Sequence, residues 1–203
     1  MKIRYYGHSC FTVGSAGYTI ALDPYDSTVP GYKPLEIFAD QVICSHGHGD
    51  HNYEPAVEIN EYPVENPFSI NSYETFHDNS SGLLRGKNKV TILHAEGLKV
   101  VHMGDTGCIP NEMQQMTLAG TDLMMIPVGG HYTVDAKMAK EIIDIVKPRI
   151  VVPMHYRNGM LGYSVIAELS EFTKLFDNVN YFDGETFELT KDTPAGVYVL
   201  KNI

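Results

Sequence analysis

The chain has 203 residues, 43% of them hydrophobic, which is enough to bury the core of a single domain spanning residues 1–203. Its formal net charge of −10 argues against a nucleic-acid surface, because such surfaces need clustered Lys and Arg. No apolar run has the length of a signal-peptide core or a membrane span, and Cys10, Cys44 and Cys108 are isolated, so we expect a cytoplasmic protein with reduced cysteines and no membrane partner.

Short strands and turns are predicted for the first half of the chain. Gly14 and Gly17 bracket one turn, and Ala95-Glu96-Gly97 would join the last two strands as a hairpin. The predicted strands cover residues 3–6, 9–13, 18–22, 40–45, 75–77, 90–94 and 98–103.

Strands alternate with helices in the second half. Asp135 is suited to cap a helix that ends before Pro148, and Ser164 is suited to cap a second helix that continues to Phe176. The predicted strands cover residues 122–127, 150–154, 179–182 and 196–200. Because buried sheets need covering layers, this order favours an α/β fold with two packed sheets and helices outside them.

The strongest chemical motif is the segment Ser45-His46-Gly47-His48-Gly49-Asp50-His51, which follows a predicted strand. It places three imidazoles and a carboxylate within six residues. Neutral imidazole suits Zn, Fe, Ni and Cu, and the carboxylate extends the choice to Mn. The segment therefore predicts a metal site and leaves the metal open.

Three further polar residues follow predicted strands. His77 and His155 come directly after strand-like runs, and Asp105 lies in a turn bounded by Gly104 and Gly107. Functional loops collect at the carboxyl ends of strands in layered α/β folds. Together with the histidine-rich segment, these residues indicate more ligands than one metal needs.

The order and spacing of these motifs resemble the metallo-β-lactamase superfamily. The resemblance continues in the flanking segments and favours the branch that contains L-ascorbate-6-phosphate lactonase. Those segments are Gly7-His8-Ser9-Cys10-Phe11, Leu22-Asp23-Pro24, Arg85-Gly86-Lys87-Asn88, Pro127-Val128-Gly129-Gly130 and Pro153-Met154-His155-Tyr156.

The resemblance implies a four-layer αββα sandwich of two mixed sheets with the metals at one edge. It implies two divalent ions, with Zn as first choice and Mn, Ni or Fe as alternatives. The ligand set carried over is His46, His48 and His77 for the first metal, Asp50, His51 and His155 for the second, and Asp105 as the bridge.

Other polar residues are candidates for catalysis, substrate binding or support of the ligands. Asp50 and His131 are candidates for catalysis, Asp50 as proton acceptor and His131 as a hydrogen-bond donor to a leaving group. Arg85 and Lys87 are candidates for binding an anionic substrate group. His8 and Asp23 are considered as supports for the metal ligands. His94 and His102 are predicted to lie outside the metal site.

The predicted activity is metal-dependent hydrolysis of a small ester, lactone, thioester or phosphoester by a metal-activated water. The alternative is iron-dependent oxygen or sulfur chemistry on the same fold. A non-catalytic metal protein is disfavoured, because a structural site is normally closed with four ligands. The expected partner is a small-molecule substrate, and an anionic one is compatible with the charge of the metals.

Overall fold

A computed structural model describes residues 1–201, which form short strands and few helices. The strands are β1 (Lys2–Gly7), β2 (Cys10–Ser15), β3 (Tyr18–Leu22), β4 (Ile37–Ala39), β5 (Gln41–Ile43), β6 (Val57–Ile59), β7 (Ser69–Phe76), β8 (Lys87–Ala95), β9 (Leu98–His102), β10 (Leu123–Pro127), β11 (Ile150–Met154), β12 (Val179–Tyr181), β13 (Thr186–Glu188) and β14 (Gly196–Val199). The helices are α1 (Glu112–Leu118), α2 (Ala136–Val146), α3 (Leu169–Thr173) and one 3-10 turn, Glu54–Ala56.

Two sheets carry the fold. The first has the strand order β13-β1-β2-β3-β5, and the second has the order β12-β14-β11-β10-β9-β8-β7. The strand pairings make β1, β3 and β5 parallel to one another in the first sheet. They make β7, β9, β10 and β11 parallel in the second. The carboxyl ends of these seven strands therefore lie at one edge of each sheet.

The main core lies between the two sheets, and residues from both form one buried cluster, including Ile3 and Phe11 from the first sheet and Met125 and Val152 from the second. The central strands β10 and β11 are buried along their whole length. Met124 of β10 faces the opposite way, into a second cluster formed with the helices. Burial on both faces is what a parallel strand covered by helices requires.

The outer layers differ on the two sides. Helix α2 begins where the Asp135 side chain accepts the N–H of Met138, and it packs Ala139 and Ile142 on the second sheet, as predicted. The first sheet is covered instead by the segment 25–57, which contributes Tyr25 and Val29 to a third cluster. The two sheets and the outer helices confirm the predicted sandwich. The longest helix in residues 1–201, α2, has 11 residues, and none of the described helices meets the length and apolarity of a membrane span.

The predicted helix starting at Ser164 is wrong. Helix α3 begins at Leu169 and has five residues. Before it, the N–H of Ala167 donates to Gly129 O at 2.7 Å, and Ala167 O accepts the N–H of Arg157 at 2.9 Å. Because these bonds occupy the backbone of Ala167, the segment cannot make the i to i−4 bonds of a helix.

Candidate metal centre

The predicted ligands all lie in loops at the carboxyl ends of parallel strands. His46, His48, Asp50 and His51 follow β5, and the other three follow β7, β9 and β11 in turn. These loops meet where the two sheet edges face each other. The fold thus brings together His77, Asp105 and His155, which are far apart in sequence, with the histidine-rich segment.

His46, His48 and His77 form one group of converging side chains. One ligand atom from each lies within 4.8 Å of the others. The ring centroid of His46 is 4.6 Å from that of His48 and 4.6 Å from that of His77. His77 is buried and His48 is exposed, so this group opens towards solvent.

A second group contains Asp50, His51 and His155, together with His8. One ligand atom from each of these four residues lies within 4.8 Å of the others. The rings of His51 and His155 are stacked, with centroids 5.7 Å apart. The three histidines are fully buried, whereas the Asp50 side chain is 17% exposed.

Asp105 lies between the two groups. Its Oδ2 is 3.2 Å from His77 Nε2, which belongs to the first group. The same oxygen is 3.1 Å from His51 Nε2 and 3.3 Å from His155 Nε2, which belong to the second. A single carboxylate that faces ligands from both groups has the position that a bridging ligand needs.

Several atoms of this cluster are buried without a hydrogen-bond partner among residues 1–201. They include His46 Nε2, His51 Nε2, His155 Nε2 and Asp105 Oδ1. An unpaired buried polar atom costs roughly 1–3 kcal/mol, so native proteins rarely leave several together. Imidazole nitrogens and carboxylate oxygens are the donors that Zn²⁺ and related divalent ions take, so this set fits a metal.

Asp23 fixes the proton positions on two of these histidines. Its Oδ2 accepts the Nδ1–H of His51 at 2.8 Å and the hydroxyl proton of Ser45 at 2.6 Å. Since Ser45 Oγ has given its only proton to Asp23, it accepts the Nδ1–H of His46 at 2.9 Å. Both rings therefore keep the Nε2 lone pair free for a metal. Asp23 supports one ligand histidine in each group, whereas the sequence suggests that it supports a single ligand histidine.

His77 and Asp105 are held by neighbouring backbone and amide groups. His77 Nδ1 donates to the carbonyl oxygen of Tyr132 at 3.1 Å, which again leaves Nε2 free. The N–H of Asp105 donates to Asn88 Oδ1 at 2.8 Å, and Asn88 Nδ2 donates to Met103 O at 2.9 Å. Gly104 must be glycine, because a Cβ there would lie 2.3 Å from Asn88 Oδ1 and its φ is +54°.

Charges in the cluster favour a cation. Burial lowers the pKa of His46 to about 3, with a further contribution from His51. Burial raises the pKa of Asp105, but His155 and His51 outweigh it and hold that pKa well below its usual range. For His51 burial lowers the pKa, and Asp105 and Asp23 outweigh it in the opposite direction. Positive charge on His51 is thus stabilised by the carboxylates of Asp105 and Asp23. A metal bound to His51 Nε2 would supply positive charge in place of the proton.

Comparison with known proteins agrees with this geometry. The sequence matches the family model described as a beta-lactamase superfamily domain over residues 2–155. The chain belongs to the beta-lactamase superfamily. A UPF0173 metal-dependent hydrolase from Thermococcus onnurineus is 31% identical over 86% of this chain and 92% of its own length. A second one, from Carboxydothermus hydrogenoformans, is 27% identical over 85% of this chain and 90% of its own length.

A solved structure from Thermotoga maritima extends the comparison to three dimensions. It is described as a candidate Zn-dependent hydrolase of the metallo-beta-lactamase superfamily. It is 33% identical to this chain and superposes with a TM-score of 0.77. The match covers 98% of this chain and 97% of the Thermotoga maritima chain. The chain is therefore a metal-dependent hydrolase of the superfamily, as its sequence predicts. The narrower resemblance to the L-ascorbate-6-phosphate lactonase branch stays a prediction.

Two histidines lie outside the metal cluster, as predicted. His94 is exposed on β8. His102 is buried, but its Nε2 donates to Ser9 O at 2.9 Å and its Nδ1 accepts the N–H of Gly104 at 3.2 Å. Because both ring nitrogens of His102 are occupied, neither is free to bind a metal.

The residues predicted for substrate binding are placed differently from one another. The guanidinium of Arg85 lies 5.4 Å from the centroid of the Tyr132 ring, beside the loop that supports His77. Lys87 is exposed and pairs with Glu74 at 2.7 Å. Neighbouring residues of a strand point to opposite faces, and Asn88 points to Asp105, so Lys87 points away from the cluster. The substrate contact of Lys87 stays a prediction.

The two remaining histidines with predicted roles, His131 and His8, lie at different distances from the ligand groups. His131 is exposed beside the Tyr132 ring, with centroids 4.5 Å apart, and it belongs to none of the ligand groups in residues 1–201. Its role in catalysis stays a prediction.

His8 is much closer to the metal ligands than its turn position suggests, since its ring centroid is 4.2 Å from that of His155. Its place in the Gly7-His8-Ser9 turn after a strand was the available signal.

Proposed function

We propose that this metal-dependent hydrolase uses two divalent ions, with Zn²⁺ as the first choice. His46, His48 and His77 would hold the first ion, Asp50, His51 and His155 the second, and Asp105 would bridge them. The main support is the convergence of these seven side chains, together with buried atoms of His46, His51, His155 and Asp105 that lack a well-formed hydrogen bond in residues 1–201. A single four-ligand site would leave three of the seven proposed ligands unused.

The chain's own groups suggest how hydrolysis proceeds. Bound divalent ions supply an acidified water near neutral pH and a Lewis acid for the scissile carbonyl or phosphoryl oxygen. Asp50 is partly exposed while Asp105 is buried, so Asp50 is the carboxylate that can meet an attacking water from the open side. It orients that water and accepts its proton.

An anionic group on the substrate is the second part of the proposal. Arg85 forms no ion pair with any residue in 1–201, and its backbone N–H is fixed by Asp78 Oδ2 at 2.8 Å. Asp78 also accepts the N–H groups of Ser80, Gly82 and Leu84, so the loop holds Arg85 in one place over Tyr132. An unpaired guanidinium over the Tyr132 ring, on a loop whose backbone is held by Asp78, suits a phosphate or carboxylate.

Metal removal and reloading test the centre. Protein stripped by a chelator should lose hydrolysis of a panel of small esters, lactones, thioesters and phosphoesters, and reloading with Zn²⁺ should restore it with about two equivalents bound. The His48→Ala and His155→Ala variants should lose bound metal, whereas His94→Ala and His102→Ala should keep it because their rings lie outside the cluster. Elemental analysis checks both expectations.

The outcomes separate the alternatives. A plateau at one equivalent would contradict the dinuclear proposal. Equal metal loss in all four histidine variants would contradict the ligand assignment. Iron retained through purification, with redox activity and no hydrolysis after Zn²⁺ or Fe²⁺ loading, would replace hydrolysis by the iron-dependent alternative.

Arg85 and Lys87 can be tested against each other. Arg85→Ala should raise the KM for an anionic ester by about tenfold or more, since a hydrogen bond to a charged group is worth about 1.5–3 kcal/mol. Lys87→Ala is the matched control, because Lys87 pairs with Glu74 and should leave the KM unchanged. A neutral analogue should respond to neither variant. Equal kinetics of wild type and Arg85→Ala on both substrates would remove Arg85 from the substrate site.

A further inference from the structure

We propose that His8 is a positioning residue that holds Asp50 in place for the second metal. The inference rests on the proposed dinuclear centre and adds a residue that the ligand set does not contain. His8 lies in the turn between β1 and β2, and its side chain is fully buried. Its Nδ1 has no hydrogen-bond partner in residues 1–201, so the side-chain hydrogen bond of this buried ring is made by Nε2.

One ring nitrogen of His8 points to Asp50. His8 Nε2 is 3.2 Å from Asp50 Oδ2. A carboxylate that binds a metal is deprotonated, so Asp50 can only accept a hydrogen bond. His8 therefore donates Nε2–H to Oδ2. The bond restrains rotation of the carboxylate and leaves Oδ1 for the metal or for water.

The backbone of His8 holds a second ligand of the same metal. The carbonyl oxygen of His8 accepts the N–H of His155 at 2.8 Å. His155 has a φ of +52°, a conformation that non-glycine residues rarely adopt, so this bond helps fix a strained residue. The Tyr5 hydroxyl donates to the same carbonyl at 3.2 Å, which anchors the turn to the core.

The contacts of His8 belong to one metal only. Its aromatic neighbours are His51, His155 and Tyr163, with ring centroids 5.2, 4.2 and 5.7 Å away. His8 is absent from the groups formed by His46, His48, His77 and Asp105 in the described residues. Loss of the His8 side chain should therefore weaken the second site and spare the first.

Direct ligation by His8 is the competing explanation, because one of its nitrogens lies within 4.8 Å of ligand atoms of Asp50, His51 and His155. The two roles make different demands on the side chain. A positioning residue needs an N–H at the Nε2 position, which a glutamine amide can supply. A ligand needs a lone pair on the donor atom, and in glutamine only the amide oxygen could supply it, so replacing imidazole nitrogen by amide oxygen would change the Co²⁺ spectrum.

The experiment compares His8→Gln, His8→Asn and His8→Leu by Co²⁺ titration of metal-stripped protein. Calorimetry measures the two affinities, and the visible absorption of Co²⁺ reports the coordination of each site. We expect the second affinity to fall about 10- to 100-fold in His8→Asn, whose shorter amide cannot reach Asp50, and in His8→Leu. His8→Gln should stay within a few-fold of wild type with an unchanged spectrum, and the first affinity should be constant throughout.

Each result has a definite meaning. Equal second-site affinity in wild type, His8→Asn and His8→Leu would overturn the positioning role. Loss of the second site in His8→Gln as well, with a changed Co²⁺ spectrum, would make His8 a ligand and also overturn it. If His8→Leu fails to fold, the comparison of Gln with Asn still decides. A wild-type protein that binds one Co²⁺ would fail the dinuclear proposal itself, before any His8 variant is considered.

Discussion

Asp105→Asn should abolish stable binding of metal at both sites. Asp105 Oδ2 faces His77 from one ligand group and His51 and His155 from the other, and the residue is 1% exposed. The substitution keeps the size but removes the negative charge that would offset the two proposed cations. Metal affinity should therefore fall by more than the about 10- to 100-fold typical of losing a group that only supports a ligand. Elemental analysis should show less than about one equivalent, and hydrolysis should be lost.

Thermal unfolding gives a second measurement that does not depend on a substrate. A ligand present at about 100 times its Kd stabilises the folded state by about 2.7 kcal/mol, so Zn²⁺ should raise the Tm of the wild type. It should not raise the Tm of Asp105→Asn. Asp144→Asn on the exposed face of α2 is the matched control and should respond like wild type. Two firmly bound metals in Asp105→Asn would contradict a bridging role.

The position of the site was predictable because its ligands are local to strand ends. The segment from His46 to His51 carries four ligand-type side chains with no need for distant contacts. The strands before this segment and before His155 are predicted from their patterns, whereas for β7, which precedes His77, only the last two residues are predicted. Once those strands are parallel, their ends must meet at one edge of the sandwich, so the loops converge.

The role of each remaining histidine depended on contacts that sequence does not encode locally. His102 has both nitrogens occupied, one of them by Ser9, which is 93 residues away. His8 meets Asp50 across 42 residues. Both lie beside strand ends, so their local patterns are alike, and the tertiary structure alone separates a packed imidazole from one at the metal centre.

Strand alternation explains why Lys87 was assigned differently from its position in the structure. The structure begins β8 at Lys87, whereas the sequence predicts a strand from residue 90 and places Lys87 in a loop. Once β8 includes Asn88, whose side chain binds the backbone of Asp105, Lys87 has to face outward. The strand thus begins three residues earlier than predicted, which places Lys87 in a surface ion pair with Glu74.

Asp50→Asn should separate metal binding from proton transfer. The variant keeps one side-chain oxygen, which can still accept the Nε2–H of His8, but it loses the negative charge and the basicity. His51, His155 and Asp105 persist, so the second metal should still bind at high metal concentration, with lower affinity. Because a positioned general base contributes about 10²–10⁴-fold, kcat should fall at least about a hundredfold at saturating metal, with a smaller change in KM. Steady-state kinetics on protein with measured metal content checks this.

Asp26→Asn is the matched control for Asp50→Asn. Asp26 lies in the neighbouring loop, where its N–H donates to Gly49 O at 3.1 Å, and its side chain accepts from Thr28. The substitution removes the same charge near the site without touching a proposed ligand, so kcat should change by less than about threefold if only proton transfer by Asp50 matters. If Asp50→Asn with two metals bound turns over within a few-fold of wild type, Asp50 is not the proton acceptor. The exposed His131 would then be the next residue to replace, because its ring lies 4.5 Å from that of Tyr132, which is itself 6.4 Å from the ring of His155.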